Sequence, residues 1–204
     1  MTLCVENLNC WRGKQALFEK LSFTLEPKKL LLVEGSNGCG KTTLLKIIAG
    51  LRQPNGGGVR WKQKQLNEVF DDYKTQLKWL GHNNALNRNL SVRENLSVVL
   101  KLSSSRDADI ETAIQKFGLS SQQHTLVKQL SAGMKRRLAI ARLIIGRSSV
   151  WILDEPQTSL DKAGIKLFES MTTDFLDQGG MVVMASHQPL SIQNEYIQRL
   201  SLSR

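Results

Sequence analysis

Between Leu3 and Leu32 apolar and polar residues alternate. Leu3, Val5 and Leu8 come first, then Leu17, then Leu21, Phe23 and Leu25, with polar breaks at Arg12-Gly13-Lys14 and Glu26-Pro27-Lys28-Lys29. A period of two is that of strands with one buried face, so this stretch predicts an antiparallel β layer. It runs into an unbroken apolar segment, Leu30-Leu31-Leu32-Val33, and comparable strands are expected at Leu77 to Leu80, Val150 to Asp154 and Met181 to Ala185. The period lengthens between them. A helix is expected from Lys41 to about Gly50, where Gly50 and then Pro54 stop it. Asn55-Gly56-Gly57-Gly58 reads as a turn, with a strand resuming at Val59-x-Trp61. Ser91 followed by Glu94 is a capping box that starts another helix. From Ser91 to about Gly146 the pattern is helical and polar-amphipathic, with a loop at Ser103-Ser104-Ser105, a second helix from Ile110 to Phe117 and a third from Gly133. That block predicts an inserted helical lobe. Gly164 to Leu176 is a last amphipathic helix, broken by Gly179-Gly180.

Candidate chemistry falls at the ends of these strands. Gly35-Ser36-Asn37-Gly38-Cys39-Gly40-Lys41-Thr42 matches the phosphate-binding P-loop and lies between an apolar strand and a helix, where the pattern has mechanical meaning. Glycines let the backbone approach phosphate oxygens, while loop and helix-start N–H groups, Thr43 among them, point at the anion. Lys41 is then expected on the β- and γ-phosphates of ATP and Thr42 on Mg²⁺. The strand ending Asp154-Glu155 supplies two acids. Asp154 suits the Mg²⁺ shell and Glu155 suits orienting or deprotonating the attacking water. At the end of the next strand, His187 fits either a γ-phosphate contact or a surface histidine. Trp11 lies in a polar turn, and base stacking and edge packing both fit it. Strands alternating with helices behind a P-loop predict an α/β P-loop NTPase. Its core is a mostly parallel, RecA-like sheet, with the N-terminal antiparallel β layer and the inserted α-helical subdomain added to it. The chain is expected to be one domain over residues 1–204, with a core at 1–82 and 149–204 and a helical subdomain at about 83–148.

Composition narrows this less. Hydrophobic residues at 41% and charged residues at 23% are ordinary for a globular protein. No apolar run reaches the roughly 18 residues of a membrane span, and no signal peptide is evident. A formal charge of +10 admits nucleic acid, an anionic membrane face or a solvated surface, but no nucleic-acid-binding motif accompanies it. Cys4, Cys10 and Cys39 lack metal-type spacing, so free thiols are expected, with no disulfide and no structural metal. Cys39, inside the phosphate loop at a helix start, reads either as a reactive thiol that MgATP protects or as an inert one.

Leu130-Ser131-Ala132-Gly133-Met134 resembles the L-S-G-G-Q signature of the ATP-binding-cassette family, with Ala132 for a glycine and Met134 for the glutamine. Ser131 reads equally as a plain helix N-cap. The resemblance implies that Ser131 and Gly133 close on the γ-phosphate held by the P-loop of a second copy. It also implies that Trp11 stacks on adenine, that Ser159-Leu160-Asp161 forms the D-loop, and that His187 is the switch histidine. One chain has one copy of each motif, so ATP hydrolysis is expected in a head-to-tail homodimer with integral-membrane permease partners and no nucleic acid. His82, grouped here with the nucleotide-site residues, stands where the family's loop glutamine couples nucleotide to the membrane partner. Leu80-Gly81-His82 and the following Leu90-Ser91-Val92-Arg93-Glu94-Asn95-Leu96 are similar to the haem-exporter ATP-binding subunits of cytochrome c maturation. So are Trp151 to Pro156 and His187-Gln188-Pro189-Leu190. This implies a peripheral protein on the cytoplasmic side of the inner membrane, or on the matrix side in a mitochondrion. Other cassette transporters, and a regulatory or nucleic-acid-associated cassette, remain alternatives.

Overall fold

The computed structural model describes residues 2–103 and 109–202 of the chain. Two sheets carry the fold. The first is antiparallel, in the order β2-β1-β4-β5, built from β1 (Leu3–Arg12), β2 (Gln15–Leu25), β4 (Gly56–Trp61) and β5 (Lys64–Gln65). The second is parallel, in the order β6-β7-β8-β3-β9, from β3 (Leu30–Glu34), β6 (Leu77–Leu80), β7 (Val150–Asp154), β8 (Met181–Ala185) and β9 (Ile197–Ser201). The P-loop strand β3 is flanked by β8 and β9, and β8 by β7.

Unbroken apolar strands need cover on both faces, and the parallel sheet has it. Alternate positions along each strand divide cleanly. Leu31 and Val33 of β3, Val150 and Ile152 of β7, and Met181, Val183 and Ala185 of β8 pack with the antiparallel sheet and with α1 (Lys41–Ile48). Leu30 and Leu32, Trp151 and Leu153, and Val182 and Met184 face the opposite way. They share a second core with α3 (Val92–Leu102), α4 (Ile110–Lys116), α5 (Ala132–Ala141) and α6 (Lys162–Asp177). The helical block is thus continuous in packing with one face of the sheet.

The predicted elements are present, with three differences. The glycine run at 56–58 lies in β4 and is not a turn. Gly57 has φ +73, and a Cβ there would meet the Asn7 carbonyl oxygen at 2.2 Å, so the glycines serve a close strand-to-strand approach beside a bulge in β1. Trp11 is in β1 opposite Ala16, not in the turn, which is confined to Gly13-Lys14. The helix expected from Gly133 to Gly146 is α5 followed by a 3-10 turn at Arg142–Ile144. The short helix α2 (Phe70–Gln76) and the edge strand β9 had no sequence-level expectation. Of the expected serine loop, Ser104 and Ser105 lie outside the described residues. No helix among the described residues is long and apolar enough to cross a membrane.

Candidate functional site

Parallel register brings the strand ends to one edge. Val33 and Asp154 both pair with Ala185, and Leu80 pairs with Leu153, so the residues just past β3, β6, β7 and β8 converge. A cavity of ≈ 350 Å³ opens there, lined by Asn37, Gly38, Gly40, Lys41, Thr42 and Thr43 of the loop and α1. His82, Asp154, Glu155 and His187 complete its wall, together with Arg12 and Thr158, which sequence reading did not select. This is the strand-end position where ligands sit in open α/β sheets.

Backbone sterics shape the loop. Gly40 caps α1 with φ +113, and a Cβ there would press on Leu17 at 3.2 Å and on the Phe18 ring at 3.4 Å. Gly35 has φ +144, and its Cβ would meet the Leu202 carbonyl oxygen at 2.5 Å and Cys39 Sγ at 2.7 Å. Glycine is therefore the residue that lets the loop fold here. The Cys39 side chain is buried in the core beside Gly35 and does not line the cavity. Cys10 is also buried and Cys4 half-buried, and all three are free.

Lys41 is the hub of the polar network. Its Nζ donates to the Gly35 carbonyl at 2.7 Å and the Ser36 carbonyl at 3.2 Å, and it lies 2.9 Å from His187 Nε2. An ammonium only donates, so His187 Nε2 accepts in that contact. The same nitrogen is 3.6 Å from Glu155 Oε1, and the His187 backbone N–H donates to Glu155 Oε2 at 3.4 Å. Lys41 and Glu155 thus compete for one ring nitrogen. Beside them the exposed Thr42 donates through Oγ1 to Oδ2 of the buried Asp154 at 2.8 Å. A hydroxyl and a carboxylate form a hard oxygen set of the kind Mg²⁺ takes when phosphates and water supply the remaining ligands.

Trp11, Ser131 and Gly133 do not line this cavity. Trp11 is half-buried, with its N–H donating to Asn55 Oδ1 at 2.9 Å and its carbonyl accepting from Arg52 at 3.4 Å. Ser131 is exposed, and its Oγ accepts from the Met134 N–H at 3.2 Å, so the N-cap reading of Ser131 holds. Gly133 backs onto the Ser159 carbonyl. Arg137 joins the same helix to the segment after β7, with Nη2 donating to both Asp161 oxygens at 2.7 and 3.0 Å. Asp161 in turn caps α6, and these bonds hold its carboxyl below the usual carboxylate range.

Sequence reading also missed Arg136. It is 3% exposed, and its guanidinium donates to the carbonyls of Gly81 (3.1 Å), Asp154 (3.3 Å), Glu155 (2.5 Å) and Pro156 (2.9 Å) and to Asn84 Oδ1 (2.9 Å). Burial lowers its pKa to about 10, with Asp154 and Glu155 opposing the shift, so it remains a cation at neutral pH. Its partners are far away in sequence, and no local pattern marks it.

Known proteins resemble this chain in sequence and in shape. The ABC transporter family pattern matches residues 18–158. A protein of Aliivibrio fischeri named cytochrome c biogenesis ATP-binding export protein CcmA is 38% identical over 199 residues, covering 97% of this chain and 98% of the relative. The protein of the same name from Escherichia coli K12 is 39% identical over 200 residues, covering 97% and 94%. Among solved structures, a Pyrococcus furiosus ABC transporter ATP-binding protein superposes with a TM-score of 0.83 at 22% identity, covering 99% of this chain and 98% of that one. An ATP-binding subunit of an ABC transporter superposes with a TM-score of 0.87 at 21% identity, covering 100% and 89%. These two agree with the fold of a parallel sheet joined to an antiparallel layer and a helical block. With a family match over most of its length and relatives of this identity across nearly all of it, the chain belongs to the ABC transporter family.

Proposed function

We propose that this chain is the ATP-hydrolysing subunit of a membrane ABC transporter complex that exports or delivers haem for c-type cytochrome biogenesis. The observation that carries hydrolysis is the convergence of Lys41, Thr42, Asp154, Glu155 and His187 on one cavity at the sheet edge. The cytochrome assignment rests on full-length relatives at 38% and 39% identity whose names carry that role.

In this reading Lys41 and the N–H groups of residues 35–43 bind the phosphates, and Trp11, next in sequence to the cavity-lining Arg12, stacks on adenine. Thr42 and Asp154 would hold Mg²⁺, which would supply neutralisation of phosphate charge. Glu155 orients and deprotonates the attacking water. His187 passes from Lys41 to the γ-phosphate, and that exchange removes the competition for its ring nitrogen. The work is positioning and electrostatics, as in other phosphoryl transfers. His82 sits at the mouth, where it senses the nucleotide for the membrane partners. Ser131 and Gly133 complete the site of a second copy in a homodimer. The partners are integral-membrane permease subunits, with no nucleic acid. The protein sits peripherally on the cytoplasmic side of the inner membrane, or on the matrix side if organellar. Residues 1–204 act as one domain, with a core at 1–82 and 149–204 and a helical subdomain at about 83–148.

Turnover by the chain purified with its membrane partners tests this. Glu155→Gln is expected to lower kcat by about 10²–10⁴-fold while MgATP still binds. Unchanged turnover removes Glu155 from the chemistry. Co-purification with RNA in place of membrane proteins overturns the transporter assignment.

A further inference from the structure

Glu155 carries a constraint unrelated to its carboxylate. Its φ is +49, in the left-handed region that a residue with a Cβ avoids, at a cost of order 1–3 kcal/mol. Such a backbone persists only where its surroundings hold it. On one side the Glu155 N–H donates to the Ala185 carbonyl at 2.9 Å. On the other, the guanidinium of Arg136 spans the carbonyls of Asp154, Glu155 and Pro156. Its remaining nitrogen reaches Gly81 and Asn84, the residues either side of the His82-Asn83 pair.

We propose that Arg136 is a positioning residue for ATP hydrolysis, fixing the Glu155 turn to the helix that begins at Ser131. This rests on the ATPase reading above. The planar fork suits the task. A guanidinium presents five donors in fixed directions, and here they meet four carbonyl oxygens and one side-chain amide oxygen, whereas an ammonium is a point with three. Buried cations are costly unless fully bonded, so removing one carbonyl from its reach penalises the others. The five contacts therefore move as a unit. Any displacement of the signature helix is passed to the backbone that aims the Glu155 carboxylate, 3.6 Å from His187 Nε2. A misplacement of about 1 Å at such a group costs on the order of 10²-fold in rate.

Arg142 supplies the internal control. It lies one residue past the same helix, and burial lowers its pKa too. Its Nη1 donates to the carbonyls of Asn84 and Ala85 at 3.0 and 2.8 Å, so it braces the His82 loop but no residue of the Glu155 turn.

The test compares steady-state ATP turnover and thermal unfolding of the full chain with its membrane partners, as wild type, Arg136→Lys, Arg136→Ala, Arg142→Met and Asn84→Ala. Arg136→Lys is expected to lose on the order of 10²-fold in kcat with KM for MgATP little changed. Arg142→Met is expected to lower Tm at least as much and leave kcat near wild type. Methylguanidinium is expected to restore part of the kcat of Arg136→Ala, and sodium at the same ionic strength is not. A purely structural role predicts rate losses that follow Tm in both arginine variants. That result, or wild-type kcat in folded Arg136→Lys, overturns the proposal. If no Arg136 variant folds, Asn84→Ala decides, because it loosens the guanidinium without emptying its site. A lowered kcat there supports positioning, and an unchanged one overturns it. A wild-type complex that does not hydrolyse ATP instead overturns the function on which the inference rests.

Discussion

The phosphate loop and the signature segment are both glycine-containing turns at a helix start, yet one is closed in on its own chain and the other is open. Lys41 is buried, with Nζ engaged by Gly35, Ser36 and His187. Ser131 is exposed, with its hydroxyl used only for the local cap at Met134. None of Ser131, Gly133 and Met134 lines the phosphate cavity. Loops of similar chemistry have thus been given opposite surroundings. A loop that binds an anion alone gains from a pre-formed pocket, whereas one that serves a second copy must remain accessible. The arrangement is the one the proposed head-to-tail dimer needs.

That contrast breaks most visibly at Lys41. Lys41→Ala is expected to weaken nucleotide binding to the isolated chain by on the order of 10²-fold or more, since each charge-assisted bond is worth about 1.5–3 kcal/mol. Fluorescent-nucleotide titration checks it. Unaltered affinity would place the phosphates elsewhere.

The signature segment should behave in the reverse way. Gly133→Val crowds the Ser159 carbonyl, which already lies 3.2 Å from where a Cβ would be. Affinity of the isolated chain for nucleotide is expected to hold, while kcat of the assembled complex falls by on the order of 10²-fold, the usual scale for losing one preorganised donor. Equal losses of affinity and turnover would erase the distinction between the two loops.

Two serine caps sharpen it further. Ser91 and Ser131 both accept an N–H three residues on, but Ser91 is buried and has Glu94 answering its own backbone N–H. Each Ser→Ala change is expected to cost about 1 kcal/mol of stability in denaturant unfolding. Only Ser131→Ala should also slow the complex.

The smallest effect is a pH dependence at Glu94. The Ser91 backbone N–H, then the Ser91 hydroxyl, holds this carboxyl below its ordinary value of 4.5. A folded-state pKa below the unfolded one means the contribution is present above pH 4.5 and is lost as pH falls through the folded value. Melting temperatures from pH 6 down to 3 (roughly the window set by carboxylate titration) are expected to converge between wild type and Glu94→Gln at the acid end. A constant difference would remove the cap from the account.

What was legible in the sequence was short-range. The P-loop, Asp154-Glu155, the capping box and the apolar strands are set by contiguous residues, and parallel register then brings their ends together without further instruction. The glycines at 56–58 misled because a turn and a close strand approach both require φ > 0 or a missing Cβ, and the deciding neighbour, Asn7, comes from another strand. β9 escaped notice because an edge strand needs only one apolar face, and its five residues show little alternation. The burial of the Cys39 thiol against Gly35 had no local signal either. Arg136 was invisible because the loops around its guanidinium are joined only by the fold.

Alternate positions of β3, β7 and β8 supply opposite cores, with Leu31, Val33, Val150, Ile152, Met181, Val183 and Ala185 beneath α1 and the residues between them beneath α3 to α6. The parallel sheet is therefore a partition wall, and a one-residue insertion in any of these strands would swap its furnishings from one room to the other. Length changes are therefore expected to be tolerated in the connections and not in these strands, where register fixes the count of residues. The strand ends that meet at the nucleotide cavity inherit that rigidity, so the spacing among Lys41, Glu155 and His187 is held by a structure that cannot drift by single steps.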